Sequence, residues 1–201
     1  MNLHLYPHRG SPAAYESSFQ ACYQLMRAHG PVRPIWVTEI GCYADDDPPT
    51  LPFTVGDEAM NQSLRPSEYR AAIDLVKFSA VMGAAGVRKI FYHAGTCGAF
   101  NENTAGNVFF EYGGTPRKMY AVQAILAKLL GSDWDFVGKW NEDQGVQGFR
   151  FRSKGHEVII VWARKATPIT IPDRFRVYDL MGNPLEKPPT EVTDEPIYLV
   201  N

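Results

Sequence analysis

Apolar and polar positions alternate over residues 2–6, NLHLY, with Leu3 and Leu5 on one face and His4 and Tyr6 on the other. That period of two predicts a short strand. Ser11 and Pro12 then make a favourable cap and first turn for a helix over 12–29. Tyr15, Phe19, Cys22 and Met26 form its apolar stripe, and Gly30 with Pro31 stops it. A second strand, 34–40, is an apolar run between Pro34 and Gly41. A long polar loop leads to a helix over 66–85, where Ala72, Leu75, Val76, Ser79 and Gly83 recur at helical spacing. Gly86 ends that helix, and VRKIFYH, 87–93, reads as a third strand. After another long loop, Thr115 and Pro116 cap a helix over 116–130, with Val122, Ile125, Leu126 and Leu129 as its stripe.

Strand and helix alternating three times predict an α/β fold, a parallel sheet with right-handed crossovers. The longest loops leave the C-terminal ends of the second and third strands, the end at which α/β barrels build active sites. Past Gly131 the pattern changes to short strands, among them VQGFRFRS, HEVIIVWAR and EPIYLVN, separated by Gly, Pro, Asp and Asn turns. Two domains are expected: 1–131, and a small antiparallel β-sandwich over 132–201.

Composition narrows the partners. A formal net charge of -2 gives no electrostatic reason to expect nucleic acid or a membrane surface. No apolar run approaches the length of a membrane span. Cys22, Cys42 and Cys97 form neither a CxxC pair nor a Cys/His cluster, so no disulfide framework and no zinc site is predicted. Asp45, Asp46 and Asp47 lack the alternating ligands and glycine of a calcium loop. The glycines of the 94–114 loop form no phosphate-binding pattern, and no cofactor is expected.

Glu39 stands out. It is a carboxylate at the C-terminal tip of an otherwise apolar strand, where burial without partners is costly. Strict alternation groups it with Ile35 and Val37 and puts Trp36 and Thr38 on the other face, Trp36 toward the helix layer. Glu39 serves either as a catalytic group at a strand end or as a structural carboxylate paired with an arginine. His4 and Tyr6 share a face on the first strand and could hydrogen-bond Glu39 or a substrate hydroxyl. Tyr92 and His93 end the third strand on opposite faces, so at most one lines the same mouth.

These segments, taken in order, resemble the end of a clan A retaining glycoside hydrolase. PIWVTEIGCY is similar to the seventh-strand segment, an apolar strand ending in T/S-E-x-G whose Glu is the nucleophile. NLHLYPHRG resembles the sixth strand, VRKIFYHAG stands where the eighth should be, and GGTPRKMYAVQAILAKLLG resembles the last barrel helix. VIIVWAR, VYDLMGNPL and EPIYLV are similar to the appended β-sandwich. The resemblance implies a partial (β/α) TIM-barrel segment of three parallel βα units followed by a β-sandwich. It implies a retaining glycosidase with Glu39 as nucleophile and a carbohydrate substrate. His4, Tyr6, Tyr43, Tyr92, His93 and Phe100 are its candidate substrate-binding residues, with Phe53 a further loop aromatic.

The family's acid/base, a Glu after an Asn at the fourth strand's end, has no counterpart in the sequence. The chain alone is therefore expected to show little activity, with the remaining barrel portion or another chain as partner. The start, MNLHLYPHRG, has no secretory-signal layout, but a chain beginning partway through an enzyme leaves localisation open. The rival expectations are a non-catalytic carbohydrate-binding or protein-interaction remnant of a barrel, and an unrelated α/β domain in which Glu39 makes only a salt bridge.

Overall fold

A computed structural model describes residues 1–5, 14–42, 44, 67–92, 109–110, 114–141 and 145–201. The chain divides into two compact units, Met1–Ala121 and Val122–Asn201.

The first unit runs β1 (Asn2–Leu5), α1 (Ala14–His29), β2 (Ile35–Ile40), α2 (Glu68–Ala84), β3 (Val87–Tyr92) and the first turn of α3 (Lys118–Leu130). Its strands form one sheet in the order β1-β2-β3, and both pairings are parallel. The helices cover one face. Ile35, Val37, Ile40 and Val87 are buried there with Phe19 of α1 and Phe78 and Met82 of α2. Burial of each such side chain is worth about 1.5–3 kcal/mol. Tyr15, Cys22 and Met26 pack beside Phe19 as the helical spacing requires, while Leu25 on the far side of α1 stays exposed.

The second helix departs from expectation. Ala72, Leu75, Val76 and Gly83 are buried, but so are Ala71, Ile73, Lys77, Phe78, Ala80, Val81 and Met82. A helix apolar nearly all round is a core helix rather than a surface one. It begins at Ser67, whose extended backbone lets the side-chain oxygen accept the Arg70 N–H at 3.1 Å. At the turn into β3 the Tyr23 hydroxyl donates to the Gly86 carbonyl at 2.9 Å. Gly86 has φ +86°, and a Cβ there would stand 2.8 Å from that hydroxyl.

The start of α3 is also corrected. Pro116 is not its first turn; it pairs with Phe110 in an isolated antiparallel bridge, and the Arg117 N–H donates to the Phe109 carbonyl at 2.8 Å. The helix starts only at Lys118.

In the second unit a five-stranded antiparallel sheet runs β4 (Trp134–Lys139), β5 (Val146–Ser153), β6 (His156–Ala163), β10 (Ile197–Val200) and β8 (Arg176–Tyr178). A ribbon of β7 (Thr167–Pro168) and β9 (Glu191–Val192) makes a separate pair. The expected sandwich is thus a full sheet with only a two-stranded ribbon beside it among the described residues. On one face Val146, Ile159, Val161, Ala163 and Leu199 pack with Ile169, Phe175, Val177 and Val192. The other face is aromatic: Phe149 stacks on Trp162 at 5.1 Å, and Trp134 meets Phe151 edge-on at 5.3 Å. Lys154 (φ 47°) and Gly155 (φ 87°) close the β5–β6 hairpin, two left-handed residues as a type I′ turn demands.

That hairpin also finishes α3. Ser153 donates through its hydroxyl to the carbonyls of Leu130 and Asp133, and His156 Nε2 lies 3.2 Å from the Leu129 carbonyl. Carbonyls that a helix end leaves unpaired are thereby satisfied. Among the described residues no helix is long and apolar enough to cross a membrane.

The buried Tyr198 phenol lies 3.4 Å from the Leu180 carbonyl. Burial, aided by the Asp179 charge, pushes its pKa well above the ordinary value. An unfolded tyrosine loses its proton near pH ~10, so its contribution is complete below that pH. The contribution falls as pH rises from there toward the folded value. The thermal midpoint should therefore drop more steeply between about pH 9 and pH 11 in the parent than in Tyr198→Phe. Equal slopes, measured with tyrosinate absorbance alongside, would show that this phenol is not linked to folding.

Candidate active site

The sheet of the first unit has a second face, and a β-bulge decides what stands on it. Leu3 pairs with Val37 but His4 with Glu39, so Thr38 is left over between them. The Thr38 hydroxyl reaches back to the Leu3 carbonyl at 3.4 Å. Because of that extra residue, Ile35, Val37 and Ile40 all point to the helices, and Glu39 joins Trp36 on the opposite side. Strict alternation had grouped Glu39 with Ile35 and Val37 and sent Trp36 to the helix layer. Both assignments are corrected: Trp36 is 42% exposed and meets the ring of Phe91, itself 48% exposed, at 6.3 Å.

His4 and Glu39 are brought together. His4 Nδ1 lies 3.1 Å from Glu39 Oε2, with the carboxylate side chain 29% exposed. The pair stands at the C-terminal ends of adjacent parallel strands, on the face opposite the one that the described helices cover. Chemically it offers an acceptor and potential nucleophile oriented by an imidazole, so that one carboxylate oxygen is held in place.

Tyr92 does not join them. Its side chain packs into the helix-covered core, and its hydroxyl shares a 2.8 Å hydrogen bond with Ser79 of α2. Burial pushes this phenol well above its ordinary pKa as well. As a residue lining the same face as Glu39, Tyr92 is withdrawn. Tyr6, Tyr43, Phe53, His93, Phe100 and the Asp45–Asp47 run lie outside the described residues.

Sequence reasoning missed the network behind the strand tip. Arg117 is 1% exposed. Its Nη1 donates to the Ala44 carbonyl at 2.8 Å and to Glu68 Oε1 at 3.3 Å, and its Nε to the Phe110 carbonyl at 3.0 Å. Glu68 Oε2 accepts from the Lys118 backbone N–H at 3.3 Å. A single guanidinium thus ties the chain leaving β2 to the starts of α2 and α3. Cys42 adds a second tie, its thiol donating to the Ala71 carbonyl at 3.1 Å. The only sequence signal was an arginine beside a proline ahead of a helix. Among the described residues no group of three or more His, Cys, Asp or Glu could hold a metal ion.

No protein-family model matches the chain, and no curated protein sequence matches it. Solved structures do. A family 39 glycoside hydrolase from the gut symbiont Bacteroides cellulosilyticus WH2 superposes with a TM-score of 0.66 at 17% identity, over 99% of this chain and 43% of its own. A GH30 endoxylanase from Clostridium papyrosolvens C71 gives 0.57 at 14%, over 100% and 48%. A β-porphyranase of glycoside hydrolase family 86 from Bacteroides plebeius gives 0.54 at 12%, over 99% and 40%. At such identities the likeness is one of fold: the chain has a fold found in glycoside hydrolases. It spans less than half the length of each of these proteins.

Proposed function

We propose that the chain is the nucleophile-bearing part of a clan A retaining glycoside hydrolase. On this reading β1, β2 and β3 are three successive strands of a (β/α) barrel, and the face carrying Trp36 and Phe91 is its interior. The observation that carries the proposal is the 3.1 Å pair of Glu39 and His4 at adjacent strand tips, facing away from the helices. In a retaining mechanism one carboxylate attacks the anomeric carbon while a second carboxyl, ~5–5.5 Å away, protonates the leaving oxygen. Glu39 takes the first role. His4 orients the attacking oxygen, and Arg117 and Cys42 immobilise the backbone just beyond it, the placement a nucleophile requires. The second carboxyl comes from a strand outside this sequence.

An activated substrate separates these roles, because a dinitrophenolate departs without protonation. A panel of dinitrophenyl 2-deoxy-2-fluoroglycosides, xylosyl, glucosyl and galactosyl, should therefore trap the glycosyl-enzyme even where the acid is missing. Intact mass should rise by one fluoroglycosyl group, and peptide mapping should place it on Glu39. Glu39→Gln should take up none. A label carried elsewhere, or retained in Glu39→Gln, would end the assignment. Failure of the whole panel to label a folded chain would favour the non-catalytic barrel remnant.

A further inference from the structure

The second unit holds a cavity of about 370 Å³, lined by Val137, Arg150, Arg152, His156, Glu157 and Asn201, with Gly155 at its rim. Val146, Ile159 and Val161 pack with Ile169 and Val192 of the β7–β9 region. Arg150, Arg152 and Glu157 continue the same sheet face toward the β5–β6 turn, as their pairings with Ile159 and Glu157 require. Two arginines two residues apart on one strand project to one side.

The two are held differently. Arg150 Nε donates to Glu157 Oε1 at 2.7 Å across the strands, which fixes the guanidinium plane and, among the described residues, leaves its other donors unengaged. Arg152 is exposed and makes no hydrogen bond or ion pair among the described residues, although Asp135 stands opposite it in the ladder. The cavity thus presents one guanidinium bonded to a carboxylate and one that makes no hydrogen bond or ion pair among the described residues. Arginine forks match planar carboxylates in paired hydrogen bonds. Glu157 and Asn201 can take up hydroxyls, and Val137, 42% exposed, offers an apolar wall.

We propose that this cavity is a binding site for a uronic acid unit, its carboxylate on Arg152 and Arg150 and its hydroxyls toward Glu157 and Asn201. The volume lies near the lower end of small-ligand pockets, roughly 300–1,000 Å³, which suits a single sugar ring. The site lies apart from Glu39; the choice of a sugar acid among carboxylates rests on the glycosidase reading, and binding here is measured separately from labelling at Glu39.

The test titrates D-glucuronate, D-glucose and sulfate separately into the full chain, following backbone amides by NMR. Glucuronate should shift Val137, Gly155 and His156 saturably, and glucose should not. Arg152→Gln should weaken glucuronate at least about tenfold, the usual consequence of losing a charged hydrogen-bonding partner. Its thermal midpoint should stay at the parent value, since the side chain is exposed. Equal shifts with glucose, undiminished binding in Arg152→Gln, or no shift with glucuronate would overturn the proposal. Sulfate binding as tightly at the same amides would reduce the cavity to a general oxyanion site and overturn the uronate assignment.

Discussion

Replacing Arg117 with Met should destabilise the first unit by about 3–5 kcal/mol, the cost of breaking a buried ion pair by removing one member. Glu68, 3% exposed, would lose the guanidinium and keep the Lys118 ammonium at 3.8 Å, and the Ala44 and Phe110 carbonyls would lose their Arg117 donors. Methionine fills a similar volume, so the loss reports the missing donors rather than a cavity. Glu68→Gln should cost less, because its amide oxygen can still accept from either Arg117 or the Lys118 N–H, though its NH2 then faces the other donor. The double variant Arg117→Met/Glu68→Leu should recover part of the single-variant loss, since no uncompensated charge is then buried. Urea unfolding followed through the backbone amide NMR signals of β2 and α2 measures all three. Strict additivity of the two positions would show that their contact carries no coupling.

The alternation of strand and helix in the first unit was legible because each element obeys its own period. Tyr15, Phe19, Cys22 and Met26 sit where a 3.6-residue repeat puts them, and the three parallel strands follow in chain order. What failed was local. The bulge at Thr38 depends on how β1 and β2 align, and a period-two reading of β2 alone cannot contain it. It reverses the partition of Trp36 and Glu39 while still delivering the carboxylate to the side away from the helices. Strand β4, WDFVGK, has a similar local break: burial alternates from Trp134 to Val137, and the ladder shifts between Phe136 and Gly138. Arg117 was invisible because its partners, Ala44, Glu68 and Phe110, are distant in sequence or are backbone carbonyls, which no spacing rule marks. The reach between His4 and Glu39 needed the register; their types and strand-tip positions did not.

A second large loss is expected in the other unit, from Gly148→Ala. Gly148 lies on β5, and its carbonyl accepts the Trp140 N–H at 3.0 Å. A Cβ at this position would run into the Trp140 carbonyl oxygen and come within 3.0 Å of the Trp140 Cβ. Gly148 carries no positive φ, so the conflict is one of space and not of backbone conformation. Its obstacle is main chain, which cannot rotate away, and relief requires moving Trp140 off the cluster formed by Val146, Ile159 and Val161. Overpacking of this kind costs about 1–3 kcal/mol, and the strained hydrogen bond adds about 1 more. Gly182→Ala is the informative comparison. There φ is +80°, and the nearest atoms belong to the Ile125 side chain, whose Cδ1 end can turn aside while its branch point is held by the helix. That variant should lose about 1–2 kcal/mol, mostly from the left-handed backbone. Urea denaturation at a common m-value should rank Gly148→Ala well below Gly182→Ala, and the reverse order would mean that the Trp140 backbone yields more readily than its pairing with β5 implies.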